Sequence, residues 1–143
     1  YARYTFEKSV FKNIEKGFLF AEDLNQLMLQ ALKKALGKGL DEKYLHPYRW
    51  ITKVHYYIPD IAYYNFPYTF GALFSRGLYT MYQTDQTFFT NYQNLLRAST
   101  THSVEETAAI AGIDLTKKDF WQQSLASIQQ QMQQFLDLLE ETK

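Results

Sequence analysis

With 15 basic and 15 acidic side chains among 143 residues, the chain has no net charge to draw it to nucleic acid or an anionic membrane. It contains no cysteine, which excludes disulfides, thiolate nucleophiles and cysteine-held zinc or iron–sulfur sites, and fits a reducing cytoplasm. No apolar run approaches the roughly 20 residues of a membrane span, so no membrane partner is expected. The opening YARYTFEKS has neither the positive nor the apolar region of a signal peptide, and the missing methionine is read as a start inside a longer reading frame. Few glycines and prolines beside abundant Gln, Leu and Ala predict an all-α protein.

The first helix is predicted over Tyr4 to Lys16, where Phe6, Val10 and Ile14 recur four apart and Gly17 follows as a stop. The second runs from Glu22 to Leu36 on a stripe of Leu24, Leu27, Met28, Ala31, Leu32 and Ala35. Lys33 and Lys34 suit its C-terminal dipole, and Gly37 ends it. From Leu40 to Pro59 the period blurs, which predicts a short helix or turn and then irregular chain. A long helix is expected from Asn65–Phe66–Pro67 to about Tyr82, with Asn65 as N-cap and Pro67 in the first turn. Its small residues Gly71, Ala72, Ser75 and Gly77 allow a neighbour close to its backbone.

A further helix is expected from Gln86 to about Ala98, then a short one opened by a Ser103–Glu106 capping box and ended by Gly112. Thr116 or its neighbours should cap the last helix, which runs to about Glu141. Trp121, Leu125, Ile128, Met132, Phe135 and Leu139 form a heptad seam along it, expected to pack on the helix's own domain. The architecture is a bundle of about six helices, residues 1–143 together, with one irregular aromatic connection.

Local catalytic motifs are absent from the sequence. His46, His55 and His102 make no helical pair and no H-E-x-x-H occurs, so a self-contained zinc site is not expected. There is no G-x-S-x-G elbow, and Gly37-Lys38-Gly39 falls short of any phosphate loop. What stands out is His55–Gly71, HYYIPDIAYYNFPYTFG, with five tyrosines, two phenylalanines and a histidine in one run. Two readings stand. The rings fill a core with their hydroxyls at its rim, or the hydroxyls form a donor array. Tyr64 and Tyr68 are four apart, and His55 on the preceding loop can fold back toward them; such donors can meet a carbonyl oxygen as it gains charge.

The run His55-Tyr56-Tyr57 … Tyr63-Tyr64-Asn65-Phe66-Pro67-Tyr68-Thr69-Phe70-Gly71 resembles the C-terminal catalytic region of the oligoendopeptidase F-like, thimet-oligopeptidase-type zinc metallopeptidases. Arg3-Tyr4-Thr5-Phe6-Glu7 and Trp50-Ile51 upstream, and Gly77-Leu78-Tyr79, Gly112-Ile113-Asp114 and Phe120-Trp121 downstream, extend the likeness over essentially the whole chain. The resemblance implies a larger helical peptidase domain whose channel cuts short unfolded peptides. It implies zinc held by an H-E-x-x-H helix and a later glutamate, neither of which is in this chain. His55 and Tyr68 would then stabilise the oxyanion, and Tyr64 and Tyr57 would contact substrate, while Tyr63 packs. The chain would be a C-terminal portion that needs the remainder of its parent, cytoplasmic, without zinc of its own and inactive in isolation. Beside this stand a helical protein-interaction module, using the aromatic face and the heptad seam, and a purely structural bundle.

Overall fold

The computed structural model describes residues 1–142, which contain six α-helices joined by turns and no strand. The expectation of an all-α protein is borne out. Residue contacts divide the chain into two units, 1–69 and 70 onward, and each has a core of its own. Among the described residues no helix is long and apolar enough to cross a membrane.

In the first unit, α1 (Ala2–Ile14) lies against α2 (Ala21–Leu36). The predicted stripe is the buried one: Met28, Ala31 and Leu32 close over Phe6, with Leu24 and Leu27 at the margin. The Asp23 carboxylate accepts the Phe20 backbone N–H at 2.9 Å, tying down the N-terminus of α2 where a negative charge is favourable. After Gly37 the chain advances through short 3-10 turns at 37–39, 42–44, 47–50 and 54–56, the irregular stretch the blurred period foretells. Trp50 anchors it by donating its indole N–H to the Asn25 side-chain oxygen at 2.9 Å. That bond satisfies the ring's only donor while its apolar body joins the core.

Helix α3 (Phe66–Thr84) starts within the first unit and continues into the second. There α3 is followed by a 3-10 turn (Gln86–Phe88), α4 (Phe89–Ala98), α5 (Val104–Ile110) and α6 (Lys118–Glu141). Leu78, Phe88, Leu95, Ala108, Ile113 and Phe120 make its core. The predicted capping box forms: Glu106 N–H donates to the Ser103 hydroxyl, and Ser103 N–H to the Glu106 carboxylate, which holds that carboxyl below its usual range. Gly112, at φ +75°, turns the chain so that Ile113 N–H reaches back to the Ala108 carbonyl.

Three local expectations need correcting. Asn65 does not cap α3: it is buried, and neither side-chain polar atom has a hydrogen-bond partner. Nor does a side chain cap α6: Lys117 holds the N-cap position, and its ammonium has no acceptor to offer, while Thr116 lies one residue earlier and donates to Asp114. The heptad seam is the third. Trp121 and Ile128 are half-buried, but Leu125, Met132, Phe135 and Leu139 are 44–62% exposed, while Phe120 and Ser124 are buried instead. The cause lies at Gly77 of α3, whose missing side chain admits the Phe120 ring and Ser124 hydroxyl so closely that they fix the rotation of α6. Gly71, by contrast, has nothing near it. Of the glycines in α3, Gly77 is the one that mediates a close approach.

Candidate functional site

The aromatic strip is built by an unusual backbone. Asp60 and Tyr63 both sit in the left-handed region, at φ +63° and +57°. For a ring-bearing residue that conformation costs on the order of 1–3 kcal/mol and persists only where its surroundings enforce it. They do so here. Tyr63 N–H donates to a Glu7 carboxylate oxygen at 2.6 Å, and the Tyr63 ring lies against Tyr4 and Phe11 at 5.4 and 5.3 Å. Thus α1 clasps Tyr63 from both its backbone and its ring. Phe66 N–H closes the turn onto the Tyr63 carbonyl at 2.9 Å, and α3 begins.

The turn between the clasp and α3 presents Tyr64 to His55. His55, in the 54–56 turn, stacks on Tyr64 with centroids 4.8 Å apart and planes 24° from parallel. Tyr68, in the first turn of α3, meets Tyr64 edge-on at 5.9 Å and the His55 ring at 6.2 Å. Tyr64 precedes the helix, so its proximity to Tyr68 comes from this turn and not from a shared helical face. Tyr64 and Tyr68 are 42% and 59% exposed, so their phenols are accessible, whereas His55 Nδ1 is buried without a hydrogen-bond partner. The structure therefore brings three of the four predicted residues together.

Tyr57 is elsewhere. It lines a separate cleft of about 480 Å³ with Phe6, Glu7 and Trp50, and its hydroxyl reaches the Trp50 carbonyl at 3.5 Å. Burial pushes its phenol pKa up. Tyr63 packs against rings, as expected. Among the other histidines, His46 contacts Tyr48 at 5.8 Å, and His102 Nδ1 lies 2.8 Å from the Thr101 hydroxyl.

Glu7 and Asn65 are the residues sequence reasoning missed. Each is 7% exposed. Glu7 leaves one carboxylate oxygen buried and unpartnered, and its signal was a charge set beside Phe6 and three residues before Val10 on an apolar helix. Its charge is felt at Tyr56. Burial first, and then the Glu7 carboxylate, push the Tyr56 phenol up to about 12, partly opposed by Arg3. Tyr56 also donates its hydroxyl proton to the Arg3 carbonyl at 3.2 Å, which only the neutral form can do.

A pH dependence follows. An unfolded tyrosine ionises at its ordinary 10.0, so above that pH the unfolded chain sheds a proton that the folded chain keeps. Folding stability contributed by Tyr56 is complete below pH 10.0 and is lost as the pH rises toward about 12. Alkaline melts of the parent chain and Tyr56→Phe should therefore diverge in that window, the variant falling less steeply. Superimposable curves would refute the assignment.

Among the described residues no group of three or more His, Asp or Glu side chains comes together as metal ligands. A larger apolar cleft of about 590 Å³ lies in the second unit, between α3 and α4, but no His, Asp or Glu lines it. Comparison with protein-family models, with curated proteins and with solved structures gives no match.

Proposed function

We propose that this chain is the C-terminal, substrate-gripping portion of a cytoplasmic zinc metalloendopeptidase similar to oligoendopeptidase F, acting on short unfolded peptides. The observation that carries the reading is the ring cluster of His55, Tyr64 and Tyr68, in which both phenols reach solvent. In this reading the rings form an apolar seat for extended peptide, and the Tyr68 hydroxyl donates to the scissile carbonyl oxygen as charge builds there. His55 supplies a second donor, and Tyr64 orients the other two by stacking. The clasp of Glu7 on Tyr63 is a positioning device, since it fixes the turn from which Tyr64 projects.

The residues present do not fit a zinc ion, so its ligands and the general base would come from a segment of the parent outside this chain. The isolated chain, incubated with a quenched-fluorescent peptide and added zinc, is expected to give no cleavage and to lose the metal on dialysis. Robust chelator-sensitive cleavage would overturn the division of labour proposed here.

A second reading has its own observation. The exposed Met132, Phe135 and Leu139 form an apolar line on the C-terminal half of α6, as a helical interaction module would use. Replacing Phe135 by Gln would abolish partner binding in that case and leave peptide binding at His55–Tyr68 intact.

A further inference from the structure

Three cations converge on a second cleft of the first unit. Arg3 of α1, and Arg49 and Lys53 of the chain after α2, line a cavity of about 400 Å³ that has no acidic residue in its wall. In a chain whose charges balance, this is a local excess. The ion pairs among the described residues are Lys33–Glu42 and Lys117–Asp114, so none of the three cations has a carboxylate partner. The floor is apolar and includes Met28 and Leu32, both buried.

Asn65 supplies an independent sign. The residue lines the same cleft, is more than nine-tenths buried, and has both its amide nitrogen and its amide oxygen without a hydrogen-bond partner. A buried amide with neither end satisfied is costly unless something else satisfies it. The amide N–H groups can donate to an oxyanion, and the amide oxygen can accept from a hydroxyl or N–H on the same molecule. Guanidinium groups add the planar forks suited to carboxylate and phosphate. A cavity of this size, with an apolar floor and a few polar groups, has the anatomy of a small-molecule site.

We propose that this cleft binds a small amphiphilic oxyanion, a carboxylate or phosphate monoester carried on an apolar body. Arg3, Arg49 and Lys53 hold the head group, Asn65 fixes its orientation, and the Met28–Leu32 floor takes the body. Tyr68 also lines this cleft, so it adjoins the ring cluster, but the groups assigned to the head group and body, Arg3, Arg49, Lys53, Asn65, Met28 and Leu32, have no part in the peptidase reading.

Calorimetric titration of the full chain at low salt tests it, with phenyl phosphate, 3-phenylpropionate and the neutral 3-phenylpropanamide as probes. At least one anion is expected to bind saturably at one site, about tenfold or more tighter than the amide, and to weaken as salt is raised. A preference for one head group supports the site and identifies which oxyanion it takes. The double variant Arg49→Gln/Lys53→Gln, both positions lying on a surface turn, should lose about tenfold or more in affinity with an unchanged thermal melt. Equal binding of amide and anions, absence of saturable binding, or a folded double variant with undiminished affinity would each overturn the proposal. Should the double variant fail to fold, the ratio of anion to amide affinity in the unsubstituted chain decides.

Discussion

Gly77→Leu is expected to abolish cooperative melting of residues 70–142, although glycine is the poorest ordinary residue in a helix interior. A side chain at Gly77 would meet the Phe120 ring and lie 2.6 Å from the Ser124 hydroxyl oxygen. Neither can withdraw easily. Phe120 is wedged edge-to-face against Trp121 at 5.2 Å and tilted against Phe74 at 5.6 Å, and Ser124 is fully buried with its hydroxyl donated to the Phe120 carbonyl. Even Gly77→Ala should show the conflict. It gains about 1 kcal/mol of helix propensity and meets an overpacking cost of about 1–3 kcal/mol, which the rigid neighbours place at the upper end. A net loss of about 1–2 kcal/mol in urea melts is the expected result. Gly71→Ala in the same helix is the control: nothing lies near its added carbon, so it should stabilise by about 0.5–1 kcal/mol. Equal gains at both positions would show that the approach of α6 to α3 is not a close one.

Tyr68→Phe in a parent enzyme that carries the metal half is expected to lower kcat by about 10²–10³-fold, the usual cost of one missing oxyanion donor. The exchange removes a single oxygen. The ring keeps its contacts with His55 at 6.2 Å and Tyr64 at 5.9 Å, so stability should change by less than about 0.5 kcal/mol. KM should move little, because the lost bond strengthens only as charge develops. An unchanged kcat would remove the oxyanion role, and a matching fall in stability would show that the hydroxyl is structural. An interaction module would leave partner binding unaltered by this exchange, since there the ring does the packing.

Much of the fold was legible because local signals agreed with packing. The Leu24–Ala35 stripe, its lysines and Gly37 all pointed to one helix, and Ser103 with Glu106 identified an N-terminus by the chemistry of its caps. Helix α6 was misread in register because a hydrophobic pattern ranks Leu125 above Ser124. The glycine opposite reverses that order by rewarding a small residue that lets two backbones approach. Asn65 was misread for a related reason: its cap role assumed a solvent-facing start to α3, and the residue is buried.

The candidate site was legible in its order of residues but not in its mechanics. His55, Tyr64 and Tyr68 could be nominated from the strip alone, whereas Tyr57, two residues after His55, lines a different cleft. No local pattern signals that a glutamate 56 residues upstream holds Tyr63 in a left-handed turn. That information is long-range, and it decides where Tyr64 projects.

The most direct test of the central reading is an NMR titration of the chain with a short, uncharged, end-capped peptide, following the ring signals of His55, Tyr64 and Tyr68. The peptide has no carboxylate, so it offers no head group to Arg3, Arg49 and Lys53 in the neighbouring cleft, whose wall Tyr68 shares. Saturable shifts confined to these three rings, and diminished in Tyr68→Phe, are the predicted result. Shifts confined to the exposed line of α6, or none at all, would contradict it.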